Sequence, residues 1–251
     1  MPKADMLNRL VNTLTKAEKR YFRLYTALQQ GSKDYLHLFD LLEKQSFKNT
    51  AALKTAFLQQ FKGSNYEVSS KYLYKILLDC LLHLRLQKDQ QTIIATGIIK
   101  SDILFERSLP EEGLKQLHKM QSLAADREHY LLSLWAQQQE LQLLNLLNFP
   151  DLTAQDLVQK RADVAATLEQ LQQQHQHSSL YEMLRHQLLY RGMARTARQQ
   201  DDLDVLLQAE SEMVVRSPAA TKTRLLFQAH YCLMTGDYNA ALSLLDRKSV
   251  V

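Results

Sequence analysis

Residues 236–245, with the sequence GDYNAALSLL, form the stretch that decides the fold. A glycine inside an apolar helical pattern is typical of the turn between two helices, because glycine adopts the left-handed backbone that ends a helix. Tyr238, Ala241 and Leu245 then recur three and four positions apart, which places them on one face of a following helix. The stretch predicts the turn and second helix of a helical hairpin.

The composition of the whole chain favours the same class of structure. Its 251 residues include only 6 Gly and 4 Pro, and many-stranded folds need these residues for their turns. Leu, Ala, Gln, Lys and Glu dominate, and these residues lose little side-chain freedom in a helix. No alternating run of β-branched residues is long enough to predict a strand. We therefore predict an all-α protein.

Five helices are predicted in residues 1–90. Thr15 and Glu18 fit a capping box, in which each side chain bonds the backbone N–H of the other residue at the start of a helix. Residues 67–90 predict a helix that is apolar on nearly every side and is therefore central in this region. The helix that follows the capping box is expected to bury one stripe, made of Ala17, Tyr21, Leu24, Tyr25 and Leu28.

Beyond residue 90 the pattern becomes one of paired helices. Ser179 and Glu182 fit a capping box that would open the third pair, and Ser217 with Pro218 would open the fourth. The pairs start 36, 53 and 38 residues apart, an irregular spacing compared with the ~20–50 residues that are typical of helical repeats, so we predict a degenerate array. The predicted pairs are 91–107 with 110–124, 127–148 with 154–175, 180–199 with 202–215, and 218–235 with 238–247.

The fourth pair resembles a tetratricopeptide repeat over about 30 residues. Gln228 and Cys232 depart from the family's pattern. The resemblance implies a right-handed array of antiparallel helical hairpins, a tetratricopeptide-like α-solenoid, after an N-terminal helical region. Residues 14–22 also resemble the start of uncharacterised bacterial helical-repeat proteins, and that resemblance implies no known activity. The positions that fit the tetratricopeptide pattern are Leu225, Ala229, Gly236, Tyr238, Ala241 and Leu245.

Charge and aromatic content divide the chain in the same way. Residues 1–100 hold 16 Lys and Arg against 8 Asp and Glu, whereas residues 101–251 hold 15 against 19. The first hundred residues also hold six of the 11 Tyr and five of the 8 Phe. We therefore predict a basic, aromatic-rich helical region at 1–90 and degenerate helical-hairpin repeats at 91–251.

The end of the chain predicts an uncovered apolar helix face. No capping helix follows residues 238–247, and terminal repeats need a polar outer face because an uncovered one leaves its apolar stripe in water. We expect either that the chain is a fragment of a longer protein or that a second copy covers this face. The second expectation predicts a homodimer through residues 218–251.

Neither the cysteines nor the apolar segments indicate export or membrane insertion. Cys80 and Cys232 lie in apolar helical patterns, where a free cysteine behaves as a small hydrophobe. No apolar signal region follows the N-terminus, and no apolar run approaches the ~20 residues that a membrane span needs. We therefore predict a cytoplasmic protein without membrane contact.

The chain contains no motif for catalysis, cofactor binding or metal binding. Its glycines are isolated, which excludes phosphate-binding loops, and it has no His-Glu-x-x-His, Cys-x-x-Cys or Gly-x-Ser-x-Gly sequence. His175 and His177 form the one tight histidine pair, which we interpret as part of a solvated turn between helices. We therefore expect no enzymatic activity, no cofactor and no metal.

Two basic clusters are the candidate binding residues. Arg191, Arg195 and Arg198 continue a helix face that is apolar upstream, and arginine bonds carboxylates with two parallel hydrogen bonds. Ion pairing with Asp201, Asp202 and Asp204 is the structural alternative. The second cluster is a basic ridge that would suit phosphates and that, as a solvated helix face, would have no binding role. Its residues are Lys16, Lys19, Arg20 and Arg23.

These patterns predict a non-enzymatic scaffold that binds a peptide or protein on a helical-repeat surface. Arg191, Arg195 and Arg198 would contact this partner, which we expect to be acidic. The alternative interpretation is a nucleic-acid-associated or regulatory protein that uses the basic N-terminal helices. Nothing in the sequence identifies the partner.

Overall fold

The structure is a computed structural model that describes residues 4–27, 34–44, 47, 50–86 and 88–248. All secondary structure in these residues is α-helical, which confirms the all-α prediction. None of the described helices combines the length and hydropathy that crossing a membrane requires. The described helices are α1 (Ala4–Thr13), α2 (Lys16–Ala27), α3 (Asp34–Lys44), α4 (Thr50–Gln60), α5 (Tyr66–Arg85), α6 (Gln90–Glu106), α7 (Pro110–Asp126), α8 (Tyr130–Leu146), α9 (Ala154–Arg191), α10 (Ala197–Ser211), α11 (Pro218–Thr235) and α12 (Tyr238–Lys248).

The chain forms two compact units, Met1–Ile93 and Ile94–Val251. In the first unit, α5 packs against each of the four preceding helices, as the apolar pattern of residues 67–90 predicts. Phe22 and Phe39 lie at the centre of this unit, with their ring centroids 4.4 Å apart. Burial of these aromatic and leucine side chains away from water stabilises the unit.

The buried face of α2 matches the predicted stripe only in part, at Tyr21 and Tyr25, which pack against the core. Phe22 and Thr26 are buried, whereas Leu24 is 60% exposed and Ala17 is also exposed. The predicted position Leu28 lies outside the described residues. Each residue turns a helix by about 100°, so a stripe centred on Phe22 directs Leu24 towards solvent. The position of α3, which sequence periodicity does not specify, selects the Phe22 face.

A regular rhythm organises the start of the second unit. Helices α6, α7 and α8 each contain 17 residues and begin at residues 90, 110 and 130. Each is followed by a non-glycine residue in the left-handed region, namely Ser108, Glu128 and Asn148, with φ of 60°, 53° and 60°. The next amide in each case donates to a carbonyl five residues back, which satisfies an otherwise free helix-end carbonyl. The predicted helices 91–107 and 110–124 agree closely with α6 and α7, but the regular spacing is not predicted because these turns lack glycine.

Close contact between α6 and α7 depends on two glycines. A β-carbon at Gly113 would lie 2.6 Å from the Phe105 ring, and one at Gly97 would collide with the Met120 side chain. Both glycines are buried inside helices, where they normally destabilise relative to alanine. Their role here is to let the two helix backbones approach each other.

Helix α9 contradicts the predicted second and third pairs. It runs without interruption for 38 residues and joins the predicted segments 154–175 and 180–199. It begins after the N-cap Thr153, which forms a complete capping box with Asp156. Ser179 lies in the middle of α9 and does not begin a new helix, because no Gly or Pro interrupts the backbone between residues 154 and 191.

The last hairpin agrees with its predicted boundaries. Ser217 caps α11 with Pro218 in its first turn, and Gly236 ends α11 in the left-handed conformation with φ of 87°. Ala241 is buried against α11, which lets α12 pack closely. Tyr238, Leu242 and Leu245 form an exposed apolar face on α12.

Candidate functional site

The three predicted arginines do not share a helix face. Arg191 is the last residue of α9, Arg195 lies in the connection, and Arg198 is in the first turn of α10. Gly192 ends α9 with φ of 72°, so the predicted helix 180–199 is wrong. Arg191 forms an ion pair with Asp202, with 3.6 Å between Nη1 and Oδ2. Ion pairing with this aspartate is the structural alternative given above to a role in partner binding. The three arginines therefore do not form the single basic helix face on which the predicted partner binding depends.

Half of the predicted N-terminal ridge is neutralised by α3. Arg23 Nη2 lies 2.8 Å from Asp40 Oδ1 and 2.7 Å from Glu43 Oε2, and Lys19 Nζ lies 3.4 Å from Glu43 Oε1. Burial by itself raises the pKa of Glu43, but its bonds to Arg23 and Lys19 outweigh burial and hold the pKa below the usual range. Lys16 and Arg20 remain exposed, so the ridge does not act as one surface.

An apolar groove of about 710 Å³ lies in the first unit, between the α1–α2 junction and the C-terminal half of α5. Leu14 is buried at its base, and Leu78 and Leu82 line it while remaining 42% and 54% exposed. We call it the α2–α5 groove. Its lining residues are Thr13, Leu14, Thr15, Ala17, Glu18, Leu78, Leu81, Leu82, Leu84, Arg85 and Lys88.

The residues that line the α2–α5 groove carry a net positive charge, with Arg85 and Lys88 against Glu18. The Glu18 carboxylate forms hydrogen bonds at the start of its own helix, where Oε2 accepts from the Thr15 amide at 2.7 Å and from the Thr15 hydroxyl at 2.9 Å. This is the capping box that the sequence predicts. Arg85 and Lys88 form no ion pair with any residue that the structure describes. An apolar floor beside two free cations is suited to binding rather than to chemistry.

Sequence reasoning missed the α2–α5 groove, although a signal for it was present. Leu78, Leu81, Leu82 and Arg85 follow an i, i+3, i+4, i+7 pattern on α5. The sequence predicts that these residues belong to a helix with neighbours on nearly every side. In the structure, α1–α4 cover the rest of α5 and leave the leucine pair at 78 and 82 open to solvent.

A buried carboxylate joins three helices of the second unit. Glu140 on α8 is bonded by His118 Nε2 at 2.7 Å, Gln121 Nε2 at 2.8 Å and Lys160 Nζ at 2.6 Å. Burial by itself raises the pKa of Glu140, but these three partners outweigh burial and lower the pKa to about 2. The carboxylate is therefore ionised at neutral pH and fixes α7, α8 and α9 together.

His177 contradicts the predicted solvated turn. It lies inside α9 and is 2% exposed, with Nε2 3.3 Å from the Val214 carbonyl oxygen. Its Nδ1 lies 3.9 Å from Oε1 of Glu210, a second buried carboxylate, on α10. The histidine pair is therefore a structural feature of the helix packing. The continuous helix directs His177 inwards while His175 remains exposed.

Metal-ligand side chains do not converge in the part of the chain described here. No three His, Cys, Asp or Glu side chains of these residues are placed to hold a metal ion. Burial raises the pKa of the Cys80 thiol to about 11, so this thiol is not the reactive thiolate at neutral pH. Cys232 also has a raised pKa because of burial.

Comparison with known proteins yields no relative for this chain. No protein-family model, no curated protein and no solved structure matches it.

Proposed function

We propose that this protein is a non-enzymatic interaction module that binds an acidic amphipathic helix of a partner protein in the α2–α5 groove. The observation that carries the proposal is the pair of exposed leucines, Leu78 and Leu82, above buried Leu14 and beside the unpaired cations Arg85 and Lys88. This places the proposed contact in the first unit rather than at Arg191, Arg195 and Arg198.

The shape of the groove favours a helix as its occupant. Two structural walls, the α1–α2 junction and α5, border an apolar floor, and an amphipathic helix fills such a floor with side chains at i, i+3, i+4 and i+7. The volume of about 710 Å³ lies within the range of binding clefts. Exposed leucines in a contiguous groove also mark interaction surfaces more often than isolated ones do.

Charge favours an acidic partner. Arg85 and Lys88 lie at the rim, where a partner's glutamates would bond them without displacing an existing ion pair. A basic helix would meet like charge at the rim formed by Arg85 and Lys88, which selects against it.

Two further proposals concern the second unit, one on its helix packing and one on its self-association. The α11–α12 hairpin supports a tetratricopeptide-like packing of residues 218–248, with Gly236 at the turn and Ala241 at the close contact. The exposed face of Tyr238, Leu242 and Leu245 supports the proposed homodimer through this hairpin. We retain a cytoplasmic location as part of the same proposal.

A peptide titration tests the proposed function. The probe is a fluorescent helical peptide of about 16 residues with leucines along one face and glutamates at the flanks, compared with a matched peptide that carries lysines. We expect saturable binding of the acidic peptide only. Changing Leu78 and Leu82 to Ser should weaken it by at least about tenfold, because both anchors lose apolar burial.

The matched control is Leu24→Ser, which alters an equally exposed leucine outside the groove. It should leave the affinity unchanged. Equal binding of both peptides, or unchanged affinity in the Leu78 and Leu82 variant, would contradict the proposal.

A duplex oligonucleotide in the same assay tests the alternative function. Tight binding that is lost when Lys16 and Arg20 are changed to Glu would favour nucleic acid.

A further inference from the structure

Three polar residues meet in the apolar junction of α9, α10 and α11. Glu210 on α10 and His177 on α9 are 1% and 2% exposed, and Arg224 on α11 reaches them from the edge. Leu184, Leu206 and Phe227 belong to the surrounding core. Burial of polar groups in such a core is unfavourable unless their hydrogen bonds are satisfied.

Their hydrogen bonds are not satisfied within the described part of the chain. Neither oxygen of Glu210 has a hydrogen-bond partner, and neither does Nδ1 of His177. Arg224 Nε lies 3.1 Å from Oε1 of Glu210, close enough for charge attraction without hydrogen-bond geometry. Gln228 and Arg224 on α11 both act on this carboxylate, but together with His177 they do not offset the effect of burial on its pKa.

The backbone determines which nitrogen of His177 carries a proton. Nε2 faces the Val214 carbonyl oxygen at 3.3 Å, and a carbonyl accepts but cannot donate, so Nε2 carries the hydrogen. In a neutral imidazole the other nitrogen, Nδ1, then presents a lone pair. That lone pair faces Glu210 Oε1 at 3.9 Å, and an ionised carboxylate also presents lone pairs. Two acceptors would face each other in a dry core.

We propose that His177 and Glu210 hold one shared proton between Nδ1 and Oε1, and that its release loosens the junction of α9, α10 and α11. The proton converts two facing acceptors into a donor and an acceptor, whichever atom carries it. Its loss leaves a buried negative charge opposite a lone pair, with Arg224 alone to offset it. The junction is therefore a device that responds to pH, independent of the groove in the first unit.

The neighbouring charges support this assignment. Arg224 from α11 and His177 from α9 are the charged groups that face Glu210, and Gln228 on α11 is the polar side chain beside it. The ion pair of Glu169 with Arg216 belongs to the exposed surface, with 2.7 Å between its atoms. Burial raises the pKa of Glu210, and Arg224, His177 and Gln228 offset this only in part.

The opening of the junction depends on pH in one direction. The closed junction holds one proton that an opened junction releases once the pH exceeds about 6.5, where free imidazoles are neutral. Opening therefore becomes more favourable as pH rises, by up to about tenfold in the opening constant per pH unit while one proton is released. Below that pH, the opened junction binds the proton as well and the dependence disappears.

Nitrogen NMR of the imidazole tests the shared proton directly. The His177 ring should show a protonated Nε2 at every pH, with Nδ1 hydrogen-bonded or protonated at about pH 6.5 and bare at high pH. The control is His175, two residues away and exposed, whose ring nitrogens should show no hydrogen bond to a buried carboxylate. A His177 ring with its proton on Nδ1 and a bare Nε2 would overturn the assignment.

Amide exchange tests the loosening. After division by the intrinsic base-catalysed rate, the α10 amides of residues 203–211 should exchange at least about fivefold faster at pH 8.5 than at pH 6.5. Glu210→Gln should remove this increase, because its amide N–H donates to Nδ1 at every pH. Glu212→Gln, which changes an exposed carboxylate on the same helix end, should preserve it. Exchange independent of pH in the unaltered chain would overturn the proposal.

Discussion

Glu140 and Glu210 occupy comparable places in the second unit and behave in opposite ways. Each is a buried glutamate on a helix that packs between two others. Glu140 is 5% exposed and Glu210 is 1% exposed. Glu140 receives three donors, whereas Glu210 receives none with hydrogen-bond geometry from the described residues. The pKa of Glu140 is lowered to about 2, and the pKa of Glu210 is raised.

The difference teaches that donors, not depth of burial, decide the state of these carboxylates. Burial raises the pKa at both positions, and only at Glu140 do the surrounding bonds outweigh it. An ionised carboxylate with His118, Gln121 and Lys160 holds helices in fixed register. A carboxylate without donors makes its junction dependent on a proton.

Replacement of Glu140 should give the largest effect. Glu140→Ala leaves Lys160, His118 and Gln121 without their common acceptor and should lower the free energy of unfolding by about 3 kcal/mol. Urea unfolding at pH 7 measures this loss. Glu106→Ala, at an exposed position, is the control and should change stability by less than about 0.5 kcal/mol. Equal effects would show that the three donors add no stability.

Acid should remove the same stabilisation in the unaltered chain. Glu140 has a pKa of about 2 in the folded chain against an ordinary value of 4.5, so the unfolded state binds the proton first. Its contribution is fully present above pH 4.5 and is lost as pH falls towards 2, by roughly 3 kcal/mol in total. Urea unfolding across this window should show the slope, and Glu140→Ala should flatten it. An unchanged slope in the variant would assign it to other carboxylates.

Replacement of Glu210 should give the smallest effect and the opposite sign. Glu210 has a raised pKa, so the folded state binds its proton more tightly and its contribution is lost as pH rises. Glu210→Gln keeps the shape and supplies a permanent donor to His177. At about pH 8 it should unfold with a free energy equal to the unaltered chain or up to about 1 kcal/mol higher. A loss comparable to that of Glu140→Ala would remove the contrast between the two sites.

Features of the fold that depend on local chemistry were predictable from the sequence. The capping box of Thr15 and Glu18, the cap at Thr153, the start at Ser217 and Pro218, and the turn at Gly236 all have their determinants within a few residues. The false start at Ser179 shows the limit of this reasoning. A capping sequence begins a helix only where the backbone before it is not already helical.

Features that depend on packing between helices were not predictable. Asp40 and Glu43 neutralise half of the N-terminal ridge from a different helix, and nothing in residues 16–23 encodes their approach. The donors of Glu140 lie 19 to 22 positions away in sequence. The α2–α5 groove likewise depends on which side of α5 the earlier helices leave open. A single sequence carries no signal for such pairings.

The most direct test of the proposed function is to locate the contact. An acidic helical peptide with a photoreactive leucine analogue on its apolar face should cross-link to the chain, and mass spectrometry should identify the attachment points. We predict attachment within residues 13–18 and 78–88, which form the two walls of the α2–α5 groove. Attachment at residues 191–198, or no attachment after saturable binding, would contradict the proposal that this groove is the binding site.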